Sequence, residues 1–264
     1  MKLVMTLTET NCEHPPLVLI HGLGSAATVF KPIITALSQS FRTITVDLPG
    51  HGETPMDKAA ALDPQSLGME IFDILDSKYG IKKFHVVGNS LGGWIALEMA
   101  ASKPARILSV TGLAPAGLWL FPATRRLPSE ARAYYLVKAL KPIIRVGLRY
   151  KFLRKIGFDS VSPKWRELSY EICCDASIAM ANSVGYFPVW DAMLGKRFDA
   201  KVSESVPVTI LFGDSDNSLP IQNSQERTLA PAHCAWLVID DCGHAPMWDH
   251  PDLIVKIIKQ TSGV

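Results

Sequence analysis

The feature that most constrains this chain is an alternation. Short runs of β-branched and other apolar residues, Leu17–Ile20, Thr43–Val46, Phe84–Val87 and Ile107–Leu113, read as buried strands. Stretches with helical patterning, about Ala26–Ser40, Ser66–Tyr79 and Leu91–Ser102, lie between them. A strand that is apolar on both faces must be covered on both, and strands joined through helices run parallel. The chain is therefore expected to be an α/β protein with a mostly parallel sheet flanked by helices. Val208–Phe212 and Ala235–Ile239 resume the strand pattern near the end. Before them, roughly ninety residues carry amphipathic helical patterns punctuated by Pro122, Pro128, Pro142, Pro163 and Pro188. The expected organisation is a core of residues 1–116 and 201–264, interrupted by an all-helical insertion of residues 117–200.

Hydrophobic residues make up 48% of the 264 and charged residues 20%, which excludes intrinsic disorder. A net charge of +2 gives no global sign of a nucleic-acid partner. The charge is unevenly spread. Gly117–Ala200 holds 14 Lys and Arg against 7 Asp and Glu, while the remainder is net acidic. A solvated helix face accounts for this; attraction of an anionic substrate, partner or membrane surface does so too. Within the insertion, Arg132–Arg154 interleaves apolar residues with Lys and Arg, so it reads either as a helix with one face in water or as a basic amphipathic helix lying on an anionic membrane. Pro142 is expected to interrupt it. The longest apolar stretch, Leu113–Ala123, is shorter than the ~20 residues a bilayer span needs. The N-terminus shows no secretory h-region. Five cysteines, Cys12, Cys173, Cys174, Cys234 and Cys242, form no CxxC pair. They read as free thiols of a cytoplasmic protein rather than a zinc or redox site.

The sharpest chemical signal is Gly88-Asn89-Ser90-Leu91-Gly92-Gly93. It follows one strand and opens a helix, the context a G-x-S-x-G nucleophile elbow requires. Glycines two residues either side of Ser90 remove side chains that would clash in so tight a turn. The turn lifts the serine hydroxyl above the C-terminal edge of the sheet, where helix N-terminal N–H groups also point. A serine nucleophile needs a general base. Of seven histidines, His14, His21, His51, His85, His233, His244 and His250, only His244 is expected in a loop after the last strand at the right sheet edge. His21 reads as a structural loop histidine. The base needs a carboxylate to fix its tautomer. The loop after Val208–Phe212 offers Asp214 and Asp216; Asp216 fits better, being further past the strand end, and Asp214 reads as a turn brace. Two backbone donors are needed for the oxyanion. The Leu91 N–H is one. The Leu23 N–H, between Gly22 and Gly24 in a loop after the first of these strands, is expected to be the other.

Five motifs together carry a family resemblance: HGLG at 21–24, DLPGHGET at 47–54, GNSLGG at 88–93, GDSDNSLP at 213–220 and GHAPMWDHP at 243–251. The sequence resembles the α/β-hydrolase superfamily, in particular its capped single-domain serine esterases. The resemblance implies that the insertion is a helical cap after the sixth family strand. It also supports Ser90, Asp216 and His244 as a triad with Leu23 and Leu91 as oxyanion donors. Serine at the nucleophile position argues against the branches that use aspartate there. Only one strand can precede Leu17, where the family usually has two.

The expected activity is hydrolysis of a carboxylic ester through an acyl-enzyme, with no metal or organic cofactor. The same triad also serves C–C bond hydrolysis, thioester hydrolysis and acyl transfer, and the fold can serve as a ligand receptor. Aromatic residues in and around the insertion imply an apolar acyl or aryl pocket for a small-molecule substrate, with Trp119, Phe121 and Met247 as its best candidates.

Overall fold

The computed structural model describes residues 3–8, 15–126 and 128–264. Cys12 and His14 lie outside them. Seven strands form one sheet: β1 (Val4–Leu7), β2 (Pro16–Ile20), β3 (Arg42–Asp47), β4 (Phe84–Asn89), β5 (Ile107–Leu113), β6 (Val208–Gly213) and β7 (Ala235–Ile239). Their order is β1-β3-β2-β4-β5-β6-β7. β1 runs antiparallel to β3, with Val4 opposite Asp47, and every other pair is parallel. Among the described residues one strand, β1, precedes β2.

Successive strand residues point to opposite faces, and both faces are apolar. In β2, Val18 and Ile20 enter one core cluster and Leu17 and Leu19 the other. The first face is covered by α2 (Pro64–Tyr79) and α3 (Leu91–Ser102), the second by α1 (Lys31–Ser38) and the last helix. Each fully buried side chain of the size of Phe72 or Ile258 stabilises the fold by roughly 1.5–3 kcal/mol. Local signals fix the helix ends. Asp63 accepts the Ser66 N–H at the start of α2, and Gly80, at φ 66°, ends it.

Helices fill the segment between β5 and β6: α4 (Pro128–Leu140), α5 (Ile144–Gly147), α6 (Lys151–Phe158), α7 (Tyr170–Asn182) and α8 (Tyr186–Met193). Pro142 sits in the one-turn 3-10 break between α4 and α5, as its missing N–H dictates. α7 packs on the 3-10 turn Ala27–Phe30 of the core and on α4, α5 and α6. These helices build a small apolar cluster of their own around Ile144, Phe158, Trp165 and Leu168. Two one-turn helices, α9 (Ile221–Ser224) and α10 (Pro246–Asp249), and the longer α11 (Pro251–Ser262) follow β6 and β7.

Arg154 on α6 is only 6% exposed, and its guanidinium donates to the carbonyls of Leu148 and Leu168, each at 2.9 Å. It joins the turn before α6 to the turn before α7. Arg154→Met leaves both carbonyls without that partner and is expected to destabilise the protein by about 1–3 kcal/mol in urea unfolding. Lys155→Met on the exposed side of the same helix should stay within about 0.5 kcal/mol of wild type.

Candidate active site

The C-terminal ends of β2, β4, β6 and β7 bring the candidate residues to one edge of the sheet. Ser90 directly follows β4 and is the N-cap of α3, at φ 54° and ψ −117°. That backbone conformation is rare for a residue with a side chain. It persists because the turn is held from both sides: the Ser90 N–H donates to Leu113 O at 3.0 Å and its carbonyl accepts the Ala116 N–H at 2.9 Å. The flanking glycines are obligatory. A Cβ at Gly88 would lie 2.0 Å from Gly92 O, and one at Gly92 would lie 2.0 Å from Ile20 O.

His244 follows β7. Its Nδ1–H donates to Asp216 Oδ2 at 2.8 Å. The other oxygen, Oδ1, accepts the N–H groups of Ser218 and Leu219 at 2.9 and 2.8 Å. The Asp216 side chain is fully buried, whereas Asp214 is exposed and accepts the Cys242 N–H at 3.2 Å. The two aspartates of this loop thus have separate places, one against the imidazole and one bracing the turn.

The loop carrying His244 is fastened at several points. The His244 N–H donates to Val161 O at 2.8 Å, and its carbonyl accepts from Asn89 Nδ2 at 3.0 Å. The Gly243 N–H donates to Asp249 Oδ2 at 2.7 Å, and Ser162 Oγ donates to the other oxygen of the same carboxylate. Asn89 and Asp249 were not singled out from the sequence. Asn89 sits inside the GNSLGG motif and spends its amide on the carbonyls of Leu113 and His244, and Asp249 accepts from the Gly243 N–H and the Ser162 hydroxyl, contacts that no spacing reveals.

The loop Gly22–Gly24 passes directly over Ser90; a Cβ at Gly22 would come 3.0 Å from Ser90 Cβ. Leu91 is the first residue of α3, so its N–H has no intrahelical acceptor. Among the described residues no acceptor takes the Leu23 N–H. Two buried imidazoles hold this loop. His21 Nδ1–H donates to Gly22 O at 2.7 Å and its Nε2 accepts the Leu48 N–H at 3.0 Å. His51 Nδ1–H donates to Pro49 O at 2.9 Å and its Nε2 accepts the Gly24 N–H at 3.1 Å. Both arrangements require a neutral ring, since a protonated Nε2 would face an N–H. Burial pushes His21 down to about 4 and His51 down to about 3, the latter helped by the neighbouring His21.

Ser90, Leu23, Leu91 and His244 open into one cavity of about 590 Å³. Its walls are largely apolar and come from Trp119, Phe121, Met180, Tyr186, Trp190 and Trp248. Met247 is placed differently from the sequence-based expectation. It is fully buried in the cluster on the α1/α11 face, because the single turn of α10 directs it into the core, and its neighbour Trp248 reaches the cavity instead. Among the described residues no group of three or more His, Cys, Asp or Glu is placed to hold a metal ion.

A family model described as the alpha/beta hydrolase family matches residues 17–257. The chain belongs to the α/β-hydrolase family. Two curated relatives are each 26% identical: a proposed carbamate hydrolase, RutD, of Stutzerimonas stutzeri, over 88% of this chain and 86% of the relative, and a pimeloyl-[acyl-carrier protein] methyl ester esterase of Legionella pneumophila, over 93% and 94%. Among solved structures, a bacterial membrane phospholipase A has a TM-score of 0.73 at 20% identity, covering 98% of this chain and 81% of that one. A meta-cleavage product hydrolase of Pseudomonas fluorescens has 0.72 at 19%, covering 99% and 94%. These structures show that this α/β hydrolase shares its fold with enzymes of differing named activity.

The neutral histidines give the α/β-hydrolase loop a pH signature. In the unfolded chain both titrate near 6.5, and in the folded protein they stay neutral to about 4 and about 3. Their contribution to stability is present above pH 6.5 and is lost as pH falls toward those lower values, because only the unfolded chain takes up the protons. Between about pH 7 and pH 5, His51→Gln should lose about 1–2 kcal/mol less unfolding free energy than wild type. An unchanged slope in urea titrations would mean that His51 titrates normally in the fold.

Proposed function

We propose that this α/β hydrolase cleaves carboxylic esters of an apolar acyl or aryl group, with Ser90 as nucleophile, His244 as general base and acid, and Asp216 as the carboxylate that orients it. The observation that carries the reading is the meeting of a serine on a strained strand-to-helix turn with a carboxylate-bound imidazole in one apolar cavity. The named activities of the two curated relatives both break a bond at a carbonyl carbon, which supports acyl chemistry. Residues 117–200 form the cap over the cavity, and Trp119 and Phe121 contact the acyl or aryl group.

The Asp216 bond places the proton on His244 Nδ1, leaving Nε2 as the acceptor. As Ser90 Oγ attacks the ester carbon, Nε2 takes its proton, and the carbonyl oxygen becomes an oxyanion held by the Leu23 and Leu91 N–H groups. The intermediate collapses by breaking the C–O bond to the alcohol, which leaves with the proton from Nε2. Water then attacks the acyl-Ser90 ester, giving its proton to Nε2. Collapse returns that proton to Ser90 Oγ and releases the acid. The Asp216 carboxylate stabilises the imidazolium throughout without taking its proton.

Ser90→Ala is expected to lower kcat on p-nitrophenyl esters by about 10⁴-fold or more, and Asp216→Asn by up to about 10⁴-fold. Asp214→Asn should cost less than about tenfold, because that side chain bonds the Ser215 hydroxyl and the N–H groups of Ser215, Asp241 and Cys242 and not the imidazole. Intact mass after fluorophosphonate treatment should show one adduct on wild type and none on Ser90→Ala. An adduct retained by Ser90→Ala, or an Asp214→Asn loss exceeding that of Asp216→Asn, would overturn the assignment.

A further inference from the structure

Between residues 131 and 158 the chain carries eight Lys and Arg and no Asp or Glu. Of these eight only Arg154 is buried. The helices concerned, α4 to α6, pack inward on α7, so their other sides form the outer surface. On α6 that surface is apolar. Phe152 and Ile156, one turn apart, are 70% and 73% exposed, while Arg154 and Phe158 on the opposite side are buried. Lys151 and Lys155 flank the stripe and are exposed. The helix is thus turned inside out: its arginine is packed and its apolar stripe faces water. The neighbouring turns repeat the pattern. Ile143, Val146 and Tyr150 are exposed, interleaved with exposed Arg145 and Arg149. α4 adds exposed Leu136 and Leu140 beside Lys138 and Lys141.

Single exposed apolar side chains need no explanation, but a run of them over three successive helices marks a contact surface. We propose that this outer face of α4–α6 docks on the surface of an anionic lipid bilayer. The apolar side chains enter the boundary between headgroups and acyl chains, and the interleaved cations meet the lipid phosphates. Charge decides against a second copy of the chain. An isologous contact would set these cations against their own copies, and Asp159, paired with Lys155 at 4.0 Å, is a single carboxylate against that excess. An acidic protein would answer the cations but not the apolar side chains set among them. Among the described residues no helix is long and apolar enough to cross a membrane, so the contact is with the surface.

The face also borders the cavity. Val137 of α4 and Gly157 and Phe158 of α6 line it, and exposed Gly157 directly follows Ile156. Docking sets the cavity rim at the lipid boundary, so the substrate is an acyl ester delivered from the bilayer. This step rests on the ester-hydrolase reading; the docking does not.

The test is cosedimentation of the full chain with vesicles of ether-linked phosphatidylcholine, with and without ether-linked phosphatidylglycerol. These lipids hold no ester, so binding is read apart from turnover. Binding is expected on the anionic vesicles, and it should weaken as salt rises from about 0.1 to about 1 M. The double variants Phe152→Asp/Ile156→Asp and Lys151→Glu/Lys155→Glu should each lose about tenfold or more in vesicle affinity. Both should keep the wild-type melting temperature and the turnover of a short soluble ester. If no soluble ester is turned over, the melting temperature alone reports the fold, and the docking result still stands or falls by itself. Equal binding to both vesicle types, or binding insensitive to both variants, would overturn the proposal. So would a dimer in light scattering that dissociates in the Phe152→Asp/Ile156→Asp variant, which would assign the face to a second copy. A monomer with no affinity for anionic vesicles overturns it as well, leaving the cations to an acidic protein.

Discussion

The whole site depends on how closely α3 approaches the sheet. Gly92 of α3 sits so near the end of β2 that a Cβ there would lie 2.0 Å from Ile20 O, and Gly88 sits equally near the Gly92 carbonyl. This contact forces the chain to turn from strand to helix within one residue. Ser90 takes the strained conformation because the residues on both sides are already fixed by the sheet and the helix. The same approach draws the loop after β2 over the serine, which is why Gly22 touches Ser90. One packing contact thus positions the hydroxyl, the helix N-terminus and the loop N–H groups together.

The remaining parts are held by backbone hydrogen bonding rather than by further apolar packing. Burial keeps His21 and His51 neutral down to about 4 and about 3, and each spends both ring nitrogens on main-chain groups of the loops after β2 and β3. They serve as rigid spacers with a donor at one end and an acceptor at the other. The His244 loop is fixed from two directions. Asn89, next to Ser90, holds it on the core side, and Val161 and Ser162, between α6 and α7, hold it on the other through His244 and Asp249. The segment between β5 and β6 therefore helps to place the imidazole as well as walling the cavity. Movement of α6 and the turn after it would be felt at His244 through the Val161 carbonyl.

Much of this was legible in the sequence. The strands are apolar on both faces, so runs such as Leu17–Ile20 and Val208–Phe212 stood out, and the observed strands extend them by one or two residues at most. Ser90, His244 and Asp216 come to one edge because each follows a parallel strand closely, and sequence order then dictates position. The helix read over Ala26–Ser40 is instead a 3-10 turn followed by a short helix, since Pro32 restarts the chain within it. Met247 was misplaced because distance along the chain from His244 says nothing of direction once a single helical turn intervenes. Asn89 and Asp249 were invisible because their partners, the carbonyls of Leu113 and His244 for one and the Gly243 N–H and Ser162 hydroxyl for the other, follow no periodicity that a sequence displays.

The orientation of α6 marks the limit of pattern reading. Periodicity identifies an amphipathic helix and divides it into two sides, but it assigns the apolar side to the interior by default. Here the default fails because Arg154 has a better use inside. Its guanidinium meets two carbonyls that the adjoining turns would otherwise leave buried, and Phe158 on the same side fills the space beside them. Those two bonds return part of what the buried guanidinium gives up in leaving water, and with Arg154 and Phe158 directed inward the geometry of the helix leaves Phe152 and Ile156 on the outside. The apolar stripe is turned outward by the local needs of the backbone, and the dense positive charge around it then determines what kind of surface can cover it.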